Sequence, residues 1–137
     1  MYRLETENFF LEIGPEVHEN DLSFRVNTNL SVKVASYGFS AEAVMDIDVR
    51  ELVEFALRLN ELYETLEGSA RLEEPYGMRG YIEFLACGRG HIKVRGEVHN
   101  GMDHGHEQKL TFENEIDQTD LKTFAKALLA DDPKFYK

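Results

Sequence analysis

The sequence predicts an α+β fold of two layers: an antiparallel sheet of about eight strands with two helices packed on one face. Three observations predict it. Segments such as Leu30-Ser31-Val32-Lys33-Val34 and Ile92-Lys93-Val94-Arg95-Gly96 alternate apolar and polar residues, as half-buried strands do. Two other segments repeat apolar residues at helical spacing. The joint between strand and helix also occurs twice, as Ile47-Asp48 leading to Leu52 and Phe55-Ala56, and 69 residues later as Ile116-Asp117 leading to Leu121 and Phe124-Ala125.

Taken in order, Asn8 to Ile13 reads as a first strand, with Phe9, Leu11 and Ile13 on one face and Gly14-Pro15 breaking it. From Asp21 a second strand is expected, with Leu22, Phe24 and Val26 inward and Ser23, Arg25 and Asn27 outward. Thr28-Asn29 reads as a tight turn. Leu30 to Val34 is the third strand, Tyr37-Gly38-Phe39-Ser40 the next turn and Ala41 to Ile47 the fourth strand. Asp48 stands where a helix N-cap belongs and Glu51 follows three residues later, the spacing of a capping box. The helix carries Val49, Leu52, Val53, Ala56, Leu59, Tyr63 and Leu66 on one stripe and stops at Gly68. The plan then repeats. Ser69 to Glu74, Met78 to Cys87, His91 to Asn100 and Lys109 to Ile116 read as strands, with Gly88-Arg89-Gly90 as a hairpin turn. Asp117-Gln118-Thr119 caps a final helix bearing Leu121, Phe124, Ala125, Leu128 and Leu129, and a polar tail runs from Asp131 to Lys137.

This order predicts a single domain over residues 1–137, built from a ββββα half at 8–67 and another at 68–130. Within it, Leu22-Ser23-Phe24 and Val32-Lys33-Val34 align with Ile82-Glu83-Phe84 and Ile92-Lys93-Val94 at an offset of 60, and Leu11-Glu12 with Leu72-Glu73 at 61. The step from 60 to 69 places nine additional residues in the loop after Asn100.

Composition narrows the function classes. Apolar residues make up 42% of the 137 and charged residues 30%, with nine Phe and six Tyr, a globular mix able to bury a core. Fifteen Lys and Arg face 26 Asp and Glu, a net charge of -11, which repels nucleic-acid phosphates and anionic lipid and favours a basic macromolecular partner. The only cysteine, Cys87, fits a reducing compartment. With no apolar run of spanning length and no leader pattern at Met1 to Glu7, a cytoplasmic protein without membrane attachment is expected.

No motif demands a cofactor. Gly88-Arg89-Gly90 is too short to cradle phosphate, and no Ser-His-Asp word is present. His104 and His106, flanked by Asp103 and Glu107, are the alternative site, for a metal or a small ligand. Cys87 and His91, at the two ends of a hairpin turn, are the other pair considered, as a nucleophile and its base. The outward strand positions leave a charged face for a partner, with Arg25, Lys33, Glu83, His91, Lys93, Arg95 and Glu97 as its candidate contacts.

One resemblance gathers these features. Tyr37-Gly38-Phe39-Ser40, Leu52-x-x-Phe55 with Leu59 and Leu62, Leu66-Glu67-Gly68-Ser69-Ala70, the run from Gly88 to Gly96, and Asp117-Gln118-Thr119-Asp120-Leu121-x-x-Phe124 together resemble the WapI-type bacterial immunity proteins and the small bacterial proteins grouped near them, over roughly Phe9 to Leu129. The resemblance implies a non-catalytic cytosolic inhibitor. It would bind a contact-dependent toxin domain, often a nuclease with a basic surface. It supplies no catalytic residues and leaves the oligomeric state open.

Overall fold

The computed structural model describes residues 1–131; the tail expected from Asp131 to Lys137 lies outside them after its first residue. Eight strands and two helices follow in the order β1 Tyr2–Glu5, β2 Phe9–Val17, β3 Thr28–Ser36, β4 Phe39–Ile47, α1 Val49–Thr65, β5 Ser69–Glu73, β6 Tyr81–Gly88, β7 His91–Asn100, β8 Gln108–Asp117 and α2 Gln118–Ala130. The fold is α+β with a repeated ββββα order, as the sequence predicts.

The strands form two antiparallel sheets of four, β1-β2-β3-β4 and β5-β6-β7-β8, and not one sheet of eight. Geometry explains the division. Eight strands at about 4.8 Å spacing would present a face about 38 Å wide, and two helices about 10 Å across cannot cover it. The two apolar faces instead share one continuous core, which includes Leu11, Ile13, Val32, Phe84, Val94 and Ile116. Across it Phe9 stacks on Phe112, centroids 5.8 Å apart, and Asn114 donates to Ser36 Oγ at 2.8 Å. The helices pack on each other rather than side by side on one sheet. Helix α1 lies on β5 and α2 on β1, so each helix covers the first strand of the other unit. Phe84 of β6 sits between them, 6.1 Å from Phe55 of α1 and 5.9 Å from Phe124 of α2.

The N-terminal third departs most from expectation. Strand β1, with Tyr2 and Leu4 buried, lies ahead of the first expected strand. Strand β2 runs straight through Gly14 and Pro15. Pro15 is tolerated because odd residues of β2 turn their N–H toward β1, and β1 ends opposite Ile13 at Tyr2, so no ladder bond is lost. Leu22 to Val26 is not a strand. A 3-10 turn at Glu19–Asp21 and the bonds Asp21 N–H to His18 O and Phe24 N–H to Asp21 O bend the chain, and Phe24 is left exposed. Thr28-Asn29, expected as a turn, opens β3. Met78 and Arg79, expected in a strand, lie in the loop before β6.

The repeat is therefore real in architecture but differently registered. Ile47 pairs with Thr28 and Ile116 with Ile92, so β3 and β7 correspond 64 residues apart, not 60. Ile13 pairs with Val32 and Ile82 with Gly96, so β2 corresponds to β6. The earlier alignments of Leu22-Phe24 with Ile82-Phe84 and of Leu11 with Leu72 join non-equivalent segments. From 64 to 69 the shift is five residues, and the loop between β7 and β8 supplies it.

Asp48 caps α1 as expected, accepting the Arg50 N–H at 3.0 Å. The second half of the expected box is absent: Arg50, not Glu51, closes the cap, its guanidinium reaching the same carboxylate at 2.6 and 2.8 Å. At α2 the reciprocal bond is made by Asp120, whose carboxylate accepts the Asp117 N–H at 3.0 Å.

Gly96 of β7 has no alternative. A Cβ there would meet the Phe112 ring and the Tyr81 carbonyl, both at 2.6 Å. Gly96→Ala will cost about 1–3 kcal/mol through overpacking, read as a lowered denaturant midpoint with unchanged slope.

Candidate functional site

Each sheet turns its other face outward, and register arranges that face as rows of alternating charge. In the first sheet Arg3, Glu12, Lys33 and Glu42 stand side by side across four strands. In the second the row is Arg71, Glu83, Arg95 and Glu113. The inner glutamates are buried under their neighbours: Glu12 takes the Arg3 guanidinium at 2.9 Å, and Glu83 takes Arg95 at 2.8 Å and Arg71 at 3.6 Å. These charges satisfy one another and hold the strands in register.

The seven candidate contacts fall into three places. Glu83, His91, Lys93, Arg95 and Glu97 share the outer face of the second sheet. Lys33 lies on the first sheet, 3.8 Å from Glu42. Arg25 is on the loop before β3 with its guanidinium over the Tyr76 ring, 5.4 Å from the centroid. Only Glu83 is buried.

A cleft of about 700 Å³ opens between the sheets at β4. One wall is Ser31, Lys33, Glu42, Val44 and Asp46 of β3 and β4. The other is the β5–β6 loop, from Glu74 and Gly77 to Arg79, with the end of β7 and its loop, from His99 to Asp103. No residue of α1 or α2 lines it.

The loops are held firmly. His99 is enclosed between Glu97, 2.7 Å from Nε2, and Glu107, 2.8 Å from Nδ1. Arg79 pairs with the same Glu107. The hydrogen bond from His99, together with the Arg79 charge, keeps the Glu107 carboxyl below the usual carboxylate range. Gly101 turns the chain in the left-handed region, where a Cβ would collide with the His106 carbonyl.

Two side chains reach β4 from here, Glu74 from the β5–β6 loop and Asn100 from the end of β7. Asn100 Nδ2 donates to the Glu42 carbonyl at 2.8 Å. Glu74 accepts the Asp46 N–H at 2.9 Å with one carboxylate oxygen and the Gly80 N–H at 3.1 Å with the other. Asp46 in turn accepts from Asn29 at 2.7 Å, and Asn29 meets His18. None of Glu74, Asn100 or Val44 was singled out from sequence. The one available signal was Val44, an apolar residue at an outward position of β4.

His104 and His106 lie exposed on the β7–β8 loop, and among the described residues no three His, Cys, Asp or Glu side chains converge to hold a metal ion. The Cys87 thiol points to Glu115, 3.6 Å away, and not to His91. Desolvation and that carboxylate raise the thiol pKa, the opposite of nucleophile activation. His91 faces Asp117 and Glu115 at 3.4 and 3.9 Å.

The arrangement is that of a two-sheet α+β protein whose outer sheet faces carry rows of paired charge and whose concave surface lies between the sheets. The chain belongs to the immunity protein WapI-like family, whose model matches residues 4–135. No curated protein and no solved structure matches the chain. Among the described residues, no helix is long and apolar enough to cross a membrane.

Proposed function

We propose that this protein is an immunity protein that neutralises a bacterial toxin domain by binding it directly in the cytoplasm, without catalysis. The observation that carries the reading is the family match, which spans 132 residues from 4 to 135. The net charge of -11 supports a basic partner, such as a nuclease domain whose surface accepts phosphates. The proposed contact surface is the cleft, with Lys33 in its wall and Arg25 beside it. It continues through His99 and Glu97 onto the face bearing Glu83, His91, Lys93 and Arg95.

Co-expression with the toxin domain encoded beside it tests the reading. Growth should be rescued, and the two chains should co-purify. A toxin that remains lethal and does not co-purify would overturn it. Electrostatic steering adds a kinetic expectation: the association rate will fall about tenfold or more from low to high salt, while dissociation changes much less. Stopped-flow mixing across a salt series reads this.

A further inference from the structure

The strand bordering the cleft is a sheet edge, and its backbone polarity can be assigned residue by residue. Ile47 O accepts from Asn27 N–H, on the side of β3, so the odd residues of β4 face their partner strand. The even residues Glu42, Val44 and Asp46 therefore direct their N–H and C=O groups away from the sheet. Asn100 covers the Glu42 carbonyl and Glu74 covers the Asp46 N–H. Between these two covers, the Val44 N–H and C=O have no partner among the described residues, and the Val44 side chain is 56% exposed on the cleft wall. Open edges of this kind are templates for strand addition, and side-chain covers are a common defence.

We propose that the cleft receives an extended segment of the protein partner, which pairs antiparallel with β4 at Val44 and carries Lys or Arg at alternate positions. This deepens the immunity reading and rests on it for the identity of the partner. The five residues from Glu42 to Asp46 span about 14 Å of edge, room for a short strand. Strand addition supplies main-chain bonds for affinity and side-chain positions for specificity. Complementarity selects a basic segment. The carboxylates of Glu42 and Asp46 flank Val44, and Glu74 and Asp103 face them across the cleft; these four outnumber the two lining cations Lys33 and Arg79, which pair with Glu42 and Glu107. A second copy of this chain fits poorly: antiparallel pairing centred on Val44 would set Glu42 of one copy against Asp46 of the other, like charges directly opposed.

The test uses the full chain and a soluble peptide of alternating Lys and Val, long enough to cover β4, with a Glu and Val peptide as control. Binding is read by backbone amide shifts of β4 and by fluorescence anisotropy. The key variant is Val44→Pro. It removes an N–H that points away from β3 and fixes φ, changes that an edge strand tolerates, and its melting curve verifies that the fold is kept. Val44→Ala keeps the N–H and serves as its companion. The expected result is Lys peptide binding that shifts Val44 and its neighbours, weakens about tenfold or more in Val44→Pro and changes little in Val44→Ala. Equal binding of the Glu peptide, no binding of either peptide, or unchanged binding by Val44→Pro would overturn the proposal. A self-dimer abolished by Val44→Pro would overturn it as well, by naming a different occupant. A neighbouring toxin domain held equally by wild type and Val44→Pro would overturn the edge proposal while leaving the immunity reading intact.

Discussion

Replacing Phe84 with Ala will remove about 3–5 kcal/mol of folding stability. Phe84 is fully buried, and its ring lies against an aromatic ring from each helix. Truncation forfeits the transfer free energy of the ring and leaves a cavity bounded by Phe55 and Phe124. Neither helix can move in to fill it without leaving the other. Phe124→Ala removes one side of the same stack and is expected in the same range. Urea melts of the two variants and their double mutant will show non-additivity, because the rings touch. A loss below about 1 kcal/mol for Phe84→Ala would mean that the helices do not meet over β6.

The second large effect is polar. Asn27 is fully buried at the joint between the first loop, β3 and α1. Its Oδ1 accepts the Val49 N–H at 2.8 Å and the Thr28 hydroxyl at 2.9 Å. Its Nδ2 donates to the Phe24 carbonyl at 2.9 Å and to Asp48 Oδ1 at 3.2 Å. Asn27→Ala strands the first N–H of α1 and loosens the carboxylate that caps it. At roughly 1–3 kcal/mol for each buried group left unpaired, a total loss of about 3 kcal/mol is expected, more than a surface cap is worth. The same cluster responds to acid. Burial raises the Asp48 pKa, but hydrogen bonds from the Arg50 side chain and backbone and from Asn27, with the Arg50 charge, outweigh it and leave the carboxyl below its ordinary value. A carboxyl lowered on folding stabilises the protein above its unfolded pKa, about 3.9, and that contribution is lost as pH falls through the folded value. Asp48→Asn will therefore be less stable than wild type at neutral pH, and the gap will narrow below about pH 4. Paired melts across the acid range read this, and a constant gap would contradict it.

Much of this fold was legible from local pattern. Alternation placed β3, β7 and β8, the turn at Tyr37 to Ser40 placed β4, and acidic caps before Leu-x-x-Phe placed both helices. What failed did so for physical reasons. Leu22 to Val26 alternates as a strand does, but it has no partner strand, and the bonds that bend it involve the backbone of His18 and the Asn27 side chain, which alternation cannot foresee. Asn27, read as an outward polar residue, is the buried keystone of the joint. The division into two sheets depends on which surfaces the helices can cover, a tertiary quantity. The candidate surface was legible only as charge. Register turned most of those charges into mutually paired rows, while the cleft is framed by Glu74 from the β5–β6 loop and Asn100 from the end of β7, both reaching β4. That Val44 faces outward was readable; that two side chains from the other sheet frame it was not.

The most direct test of the central claim is a titration of the purified toxin domain with this protein, followed by residual toxin activity and by heat of binding. Direct neutralisation predicts that activity falls linearly to zero at a fixed molar ratio matching the calorimetric stoichiometry. Activity abolished by a small fraction of an equivalent, or binding that leaves the toxin active, would contradict it.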